Sequence, residues 1–152
     1  MATPTDPTPR TNSTTPKHLW IVGVVTLIWN AFGAFDYLMT VSQNEAYMSS
    51  FTPEQLAYFY SFPTWALAAW AIAIWSAVLG SVALLMRRGW AVGLFALSIL
   101  GMIVSSVYTF VLSDGLDIMG GVGHLIFMFI IWIVAIVLYL YAHAQKAQGV
   151  LR

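Results

Sequence analysis

There is no cysteine among the 152 residues, and only 8% of them carry a charge. The first absence excludes disulfides, thiol catalysis and thiolate-held metal, and says nothing of redox compartment. The second excludes an ordinary soluble domain, which needs roughly 25% Asp, Glu, Lys and Arg to dress its surface. Neither sign of charge is in excess: six Lys and Arg stand against six Asp and Glu. No overall electrostatic pull toward nucleic acid follows. The signatures of an enzyme are missing too. Of the three histidines, His18, His124 and His143, only His124 lies well inside an apolar run, so haem held by two axial histidines has no second ligand at matching depth. No metal-ligand spacing or activated nucleophile appears. The chain is therefore read as a non-enzyme with no metal and no cofactor.

What remains is apolar: 60% of the residues are hydrophobic and 15% aromatic, including 7 Trp, which suits a chain that meets a bilayer and its interfaces. Residues 1–17 open as MATPTDPTPRTNSTTP, rich in Thr and Pro, and are expected to form a disordered cytoplasmic tail. The first apolar run outlasts a signal-peptide core, and no small-residue cleavage site follows it. Four runs reach the roughly 20 residues that a helix needs to cross a hydrocarbon core: 19–41, 64–86, 90–112 and 121–142. They are continuous and too long for membrane strands, and lipid offers the backbone no partner, so each is expected to be helical. The fold class is an all-α integral membrane four-helix bundle spanning 18–144, with a second short tail over 145–152.

Charge placement orients it. Arg10, Lys17, Arg87, Arg88, Lys146 and Arg152 all fall on one side of four alternating spans, whereas Glu45, Glu54, Asp114 and Asp117 fall on the other. The basic side is expected in the cytoplasm, with both termini there. Trp20 and Trp90 at the basic ends, with Tyr60, Phe62 and Trp65 at the opposite interface, read as depth-setting belt residues rather than ligand stackers. In the first outer loop, Thr52-Pro53-Glu54-Gln55 spells a capping box, predicting a short interfacial helix over 53–60 that ends before Pro63. It either caps the bundle or shortens the loop. The acids of Ser113-Asp114-Gly115-Leu116-Asp117 are read as a solvated turn rather than a cation loop, and the Gly120-Gly121-Val122-Gly123 run as a loosened start to the last span.

The polar residues inside the spans are the candidate site. Thr26, Asn30, Gly33, Asp36, Tyr37 and Thr40 share one arc of about 120° on the first helix, and should face the bundle interior. Leu27, Ile28, Phe35 and Leu38 are left for lipid. Asn30 lies about 16 Å from Leu19 along the axis, near the midplane and level with Ser98 and Gly101 of the third span. It is read either as a bond across helices or as a solute-binding amide. Asp36 lies about 26 Å along, near the outer boundary. His124, about 5 Å into the last span, and Tyr108, about one turn from the outer surface, share that layer. An intramembrane carboxylate needs a partner or snorkels into interfacial water. His124 is the partner proposed from sequence, with Tyr108 second; a protonated His124 beside Asp36 would sense or shuttle protons.

The strings from Leu27 to Thr40, Glu45-Ala-Tyr47 and Phe51 to Tyr60 resemble a family of small uncharacterised proteobacterial membrane proteins, some of them labelled sugar transporters. The likeness runs from the first helix to the fourth and leaves out the N-terminal residues. It implies a bacterial inner-membrane location and draws attention to Trp29-Asn30 and Asp36-Tyr37. Small multidrug pumps are similar in size alone, since Asp36 lies too near the outer end to match their buried glutamate. Three functions stay open: an accessory protein packing with partners in the bilayer, a subunit of a homo-oligomeric small-solute transporter or channel, and, last, a membrane enzyme or a carrier of quinone or haem. The accessory reading leads. The small-molecule ligand, if there is one, is not readable from the sequence. A water-accessible cavity reaching Asn30 from either side of the membrane would favour transport, and a tightly packed bundle with Asn30 satisfied internally would favour the accessory reading.

Overall fold

A run of apolar residues in lipid can bond its backbone only to itself, so helices are the expected outcome. A computed structural model describes residues 16–152, and in it the elements run α1 (Lys17–Val41), α2 (Glu45–Met48), α3 (Pro53–Tyr60), α4 (Thr64–Leu85), α5 (Ala91–Val107), α6 (Gly115–Met119) and α7 (Gly121–Ala147). At its end α5 widens into a π-helical turn over Tyr108–Leu112. Among the described residues there is no strand. Lys17–Val41, Thr64–Leu85, Ala91–Leu112 and Gly121–Ala147 are each long and apolar enough to cross a membrane. The chain is thus a multi-pass membrane protein built as an all-α bundle. Most of the tail expected over 1–17 lies outside the described residues; Lys17 already belongs to α1.

Spans neighbour one another in chain order. α4 packs on α5 most extensively, α1 lies against the other side of α4, and α7 lies against α5. The reason is a ladder of small residues along α4. Ala66, Ala69, Ala73, Ser76, Gly80 and Ala83 recur every three or four positions and are all buried. Between membrane helices there is little hydrophobic drive, so close backbone approach does the work. On α5 the facing residues are Ala91, Phe95, Ser98 and Gly101. Gly101 fits only because it lacks a Cβ: one placed there would meet the Ala73 nitrogen at 2.7 Å and the Ala69 oxygen at 2.8 Å. Beside it, the Ser98 hydroxyl donates to the Ala73 carbonyl at 2.8 Å.

The basic end is sealed. Leu19, Leu84, Phe95, Leu138, Ala142, Val150 and Leu151 form one buried apolar cluster joining α1, α4, α5 and α7. His18 Nδ1 and the Tyr141 hydroxyl, 2.7 Å apart, tie α1 to α7 there. The segment 145–152, expected to be a tail, is instead part of this seal. α7 continues to Ala147, and the chain then turns back on Gln145. Arg152 N–H donates to the Arg87 carbonyl at 2.8 Å, and Gly89 N–H donates to the Arg152 main-chain oxygen at 2.7 Å. The cause is Val150 and Leu151, two apolar residues that would otherwise stand in water.

The acidic end is roofed. The capping box of α3 forms in both directions: Gln55 N–H donates to Thr52 Oγ1 at 3.3 Å, and Thr52 N–H donates to Gln55 Oε1 at 3.1 Å. α3 does more than shorten the loop, because its Tyr58 is buried against Phe62 and Tyr108. The loop expected to be a solvated turn at 113–117 gives rise to α6, whose Gly115 sits directly beneath the Tyr58 ring. Gly120 and Gly121 adopt φ of +103° and +69°, a left-handed corner that lets α7 descend at once from α6.

Candidate functional site

Between the seal and the roof the bundle is open on one side. α1 and α7 diverge from their contact at the basic end, and a cavity of about 680 Å³ occupies the space between them. α4 and α5 form its back wall, with Trp70, Ile74, Ser98, Met102 and Ser105. Trp29, Phe32 and Asp36 of α1 face Phe127, Met128 and Trp132 of α7 across it. Phe95 and Leu138 belong both to its lining and to the sealing cluster, so they are its floor. Phe51, Tyr58 and Phe59 close the top. The gap between α1 and α7 lies at membrane depth, so the cavity opens sideways toward lipid. Its volume is that of a small-molecule pocket.

Asn30 reaches this space from α1. Its Nδ2 donates to Ser81 Oγ at 2.9 Å and to the Ala77 carbonyl at 3.3 Å. The Ser81 hydroxyl donates in turn to Ala77 O at 3.0 Å. Since both groups facing Asn30 from α4 must accept, the amide nitrogen faces α4. Among the described residues no group bonds its Oδ1, and Asn30 is part of the cavity lining. Asn30 is therefore both a bond across helices and a wall residue. The small face of α5 that shares its depth is not its partner: Ser98 and Gly101 are consumed by α4.

Asp36 also lines the cavity, but neither partner expected from sequence reaches it. The Tyr47 hydroxyl of α2 donates to Asp36 Oδ1. This happens because Gln43 takes φ of +53° and Asn44 caps α2, its side chain accepting from Tyr47 N–H at 3.1 Å, so the chain doubles back over α1. Burial first, then the hydrogen bond to Asp36 and its negative charge, push the Tyr47 phenol up to about 12. It stays a donor throughout the physiological range. His124 lines the same cavity from α7 and makes no hydrogen bond to Asp36, whose bonded partner is Tyr47. Tyr108 is farther off. Its ring packs on Phe62 at 4.7 Å between centroids and on Trp65 at 5.9 Å, and its hydroxyl donates to the Ser61 carbonyl at 3.3 Å. Tyr37 points to α4, edge-on to Trp70 at 5.1 Å. Of the five candidates, Asn30, Asp36 and His124 share the cavity, while Tyr37 and Tyr108 build its surroundings.

Sequence reasoning missed Tyr47 and Ser81 as site residues, along with the aromatic lining of Phe32, Phe51 and Phe59; Trp29, marked by the resemblance, does line the cavity. Asn44-Glu45 was a legible helix start that would have drawn attention to Tyr47. Among the described residues no Lys or Arg lines the cavity. Among the described residues no group of three or more His, Asp or Glu is placed to hold a metal ion. No family model, curated protein or solved structure matches the chain.

Proposed function

We propose that the protein is an accessory protein of a bacterial inner membrane, its basic end in the cytoplasm, that takes an amphipathic small molecule from the bilayer and holds it between α1 and α7. The observation that carries this reading is the cavity of about 680 Å³, open to lipid and walled by aromatic and aliphatic side chains with a few polar groups. Such a lining is typical of sites that bury most of a ligand and orient it by a handful of hydrogen bonds. A bilayer-borne molecule enters sideways with its apolar part already out of water, so only its polar part has hydration to exchange for the few polar groups of the lining. The resemblance of the first helix supports the bacterial setting, and the clustering of Arg87, Arg88, Lys146 and Arg152 at one end supports the orientation.

Transport by a homo-oligomer is the second reading, favoured by the exposed walls of α1 and α7, where a second copy has room to pack. A single chain serves it poorly, because the cavity ends at Phe95 and Leu138. Native mass spectrometry of the protein released from detergent tests both readings. The accessory reading expects one chain retaining one amphipathic adduct, and Ile131→Trp, which fills the cavity from α7, should release it. A bare wild-type chain, or an adduct indifferent to Ile131→Trp, would overturn it. An obligate dimer whose adduct persists in Ile131→Trp would favour transport.

A further inference from the structure

We propose that the cavity selects lipophilic organic cations, with Asp36 as their counter-ion; this rests on the cavity being a binding site at all. Among the described residues Asp36 is the one acidic residue in the lining, and no Lys or Arg accompanies it. The basic residues of the described chain, Lys17, Arg87, Arg88, Lys146 and Arg152, all stand at the opposite end of the bundle. Tyr47 supplies a hydrogen bond to Oδ1 and no positive charge. Among the described residues the second oxygen has no hydrogen-bond partner. A carboxylate at membrane depth without a cation is costly, and such residues mark ligand or ion sites.

The surroundings fit a cation of a particular kind. Trp29, Phe32, Tyr47, Phe51 and Phe59 line the cavity together with Asp36. Aromatic faces attract cations, and most strongly those with diffuse charge and little hydration. A metal ion is excluded by the donor set, because one carboxylate among aromatic rings does not replace a hydration shell. An anion is repelled by Asp36. A strongly hydrated primary ammonium would have to enter through lipid and would be left short of acceptors. A phosphonium or quaternary ammonium with aryl or alkyl arms partitions into the bilayer, passes the gap between α1 and α7, and places its arms against Phe127, Met128 and Trp132. Among the described residues His124 is the one lining side chain able to gain a positive charge, and it becomes a competitor for Asp36 only when protonated.

Three near-isosteric probes separate this inference from the reading beneath it: tetraphenylphosphonium, uncharged tetraphenylsilane and tetraphenylborate. Each is bound to the full chain in phosphatidylcholine nanodiscs, with empty nanodiscs as the blank. The wild type should bind the phosphonium at least about tenfold more tightly than the silane, and the borate least, the ratio expected from a single desolvated charge contact worth about 1.4 kcal/mol. Asp36→Asn should bring the phosphonium down to the silane's affinity and leave the silane unchanged, whereas Asp36→Glu should keep the preference. Equal wild-type affinity for phosphonium and silane would overturn the cation inference while leaving the cavity as a binding site. So would a preference that survives in Asp36→Asn. Binding of none of the three by monodisperse protein would overturn both. If Asp36→Asn does not fold, the order of the three probes on the wild type decides alone.

Discussion

Substituting Gly101 by alanine isolates what holds this bundle together. The added methyl carbon would stand 2.7 Å from the Ala73 nitrogen and 2.8 Å from the Ala69 oxygen, both backbone atoms of α4. Ordinary van der Waals contact begins at 3.4 Å. The two helices must therefore separate by about 0.7 Å, since no flexible side chain can give way. That shift also stretches the 2.8 Å bond from the buried Ser98 hydroxyl to Ala73 O, less than one turn away. Overpacking of this kind costs about 2 kcal/mol. The control lies on the same helix: a Cβ at Gly93 meets nothing within 4 Å, so Gly93→Ala should lose no stability and should gain slightly from helix propensity. Unfolding of the two variants in mixed micelles, titrated with a denaturing detergent and followed by tryptophan emission, measures the difference. Gly101→Ala as stable as the wild type, or Gly93→Ala as unstable as Gly101→Ala, would refute the close-approach argument.

Two further expectations concern the ends of the bundle. Tyr47 favours its neutral form in the folded protein, so its contribution to stability is complete below the ordinary tyrosine value near 10 and is lost as pH rises through about 12. Phenolate absorbance of the wild type should show a late-titrating tyrosine that Tyr47→Phe removes; superimposable titrations above the ordinary range would contradict the Asp36 contact. At the other end, Leu151→Ala should cost about 2 kcal/mol, the low end for a buried leucine because the segment can peel away instead of leaving a void. It should also speed hydrogen exchange at the Gly89 amide, whose acceptor is Arg152, and unchanged exchange would count against the docked segment.

Depth was legible in the sequence, and direction around the helix axis was legible only in part. Hydropathy placed all four spans, the capping letters placed α3 to the residue, and of the residues left for lipid Ile28, Phe35 and Leu38 are exposed while Leu27 is half-buried. The polar arc of α1 was also right as an arc, but it is shared: Asn30, Gly33 and Tyr37 touch α4, while Asp36 turns to the cavity and α2. A depth argument finds residues at one level, as it did for Asp36, Tyr108 and His124, without knowing which helices adjoin. Chain-order packing separates α1 from α7, and this separation opens the cavity and keeps His124 from Asp36. Tyr47 carries no periodic signal, because it lies in the loop between two spans and not on a spanning helix face. Residues 148–152 carry none either, because a short polar-looking end with two apolar residues has no periodicity.

The docked end sets an order of assembly. A chain emerging from the ribosome can bring α1, α4 and α5 together as soon as they are inserted, since Asn30, Gly101 and Ser98 engage only one another's helices. The loop at 87–89 must wait: its partner Arg152 is made after the last span has already been threaded. Until then Leu19 and Leu84 lack the covering that Val150 and Leu151 provide. An incompletely translated chain is thus left unlatched at this end, with Leu19 and Leu84 open to proteolysis and aggregation until residues 150–152 dock.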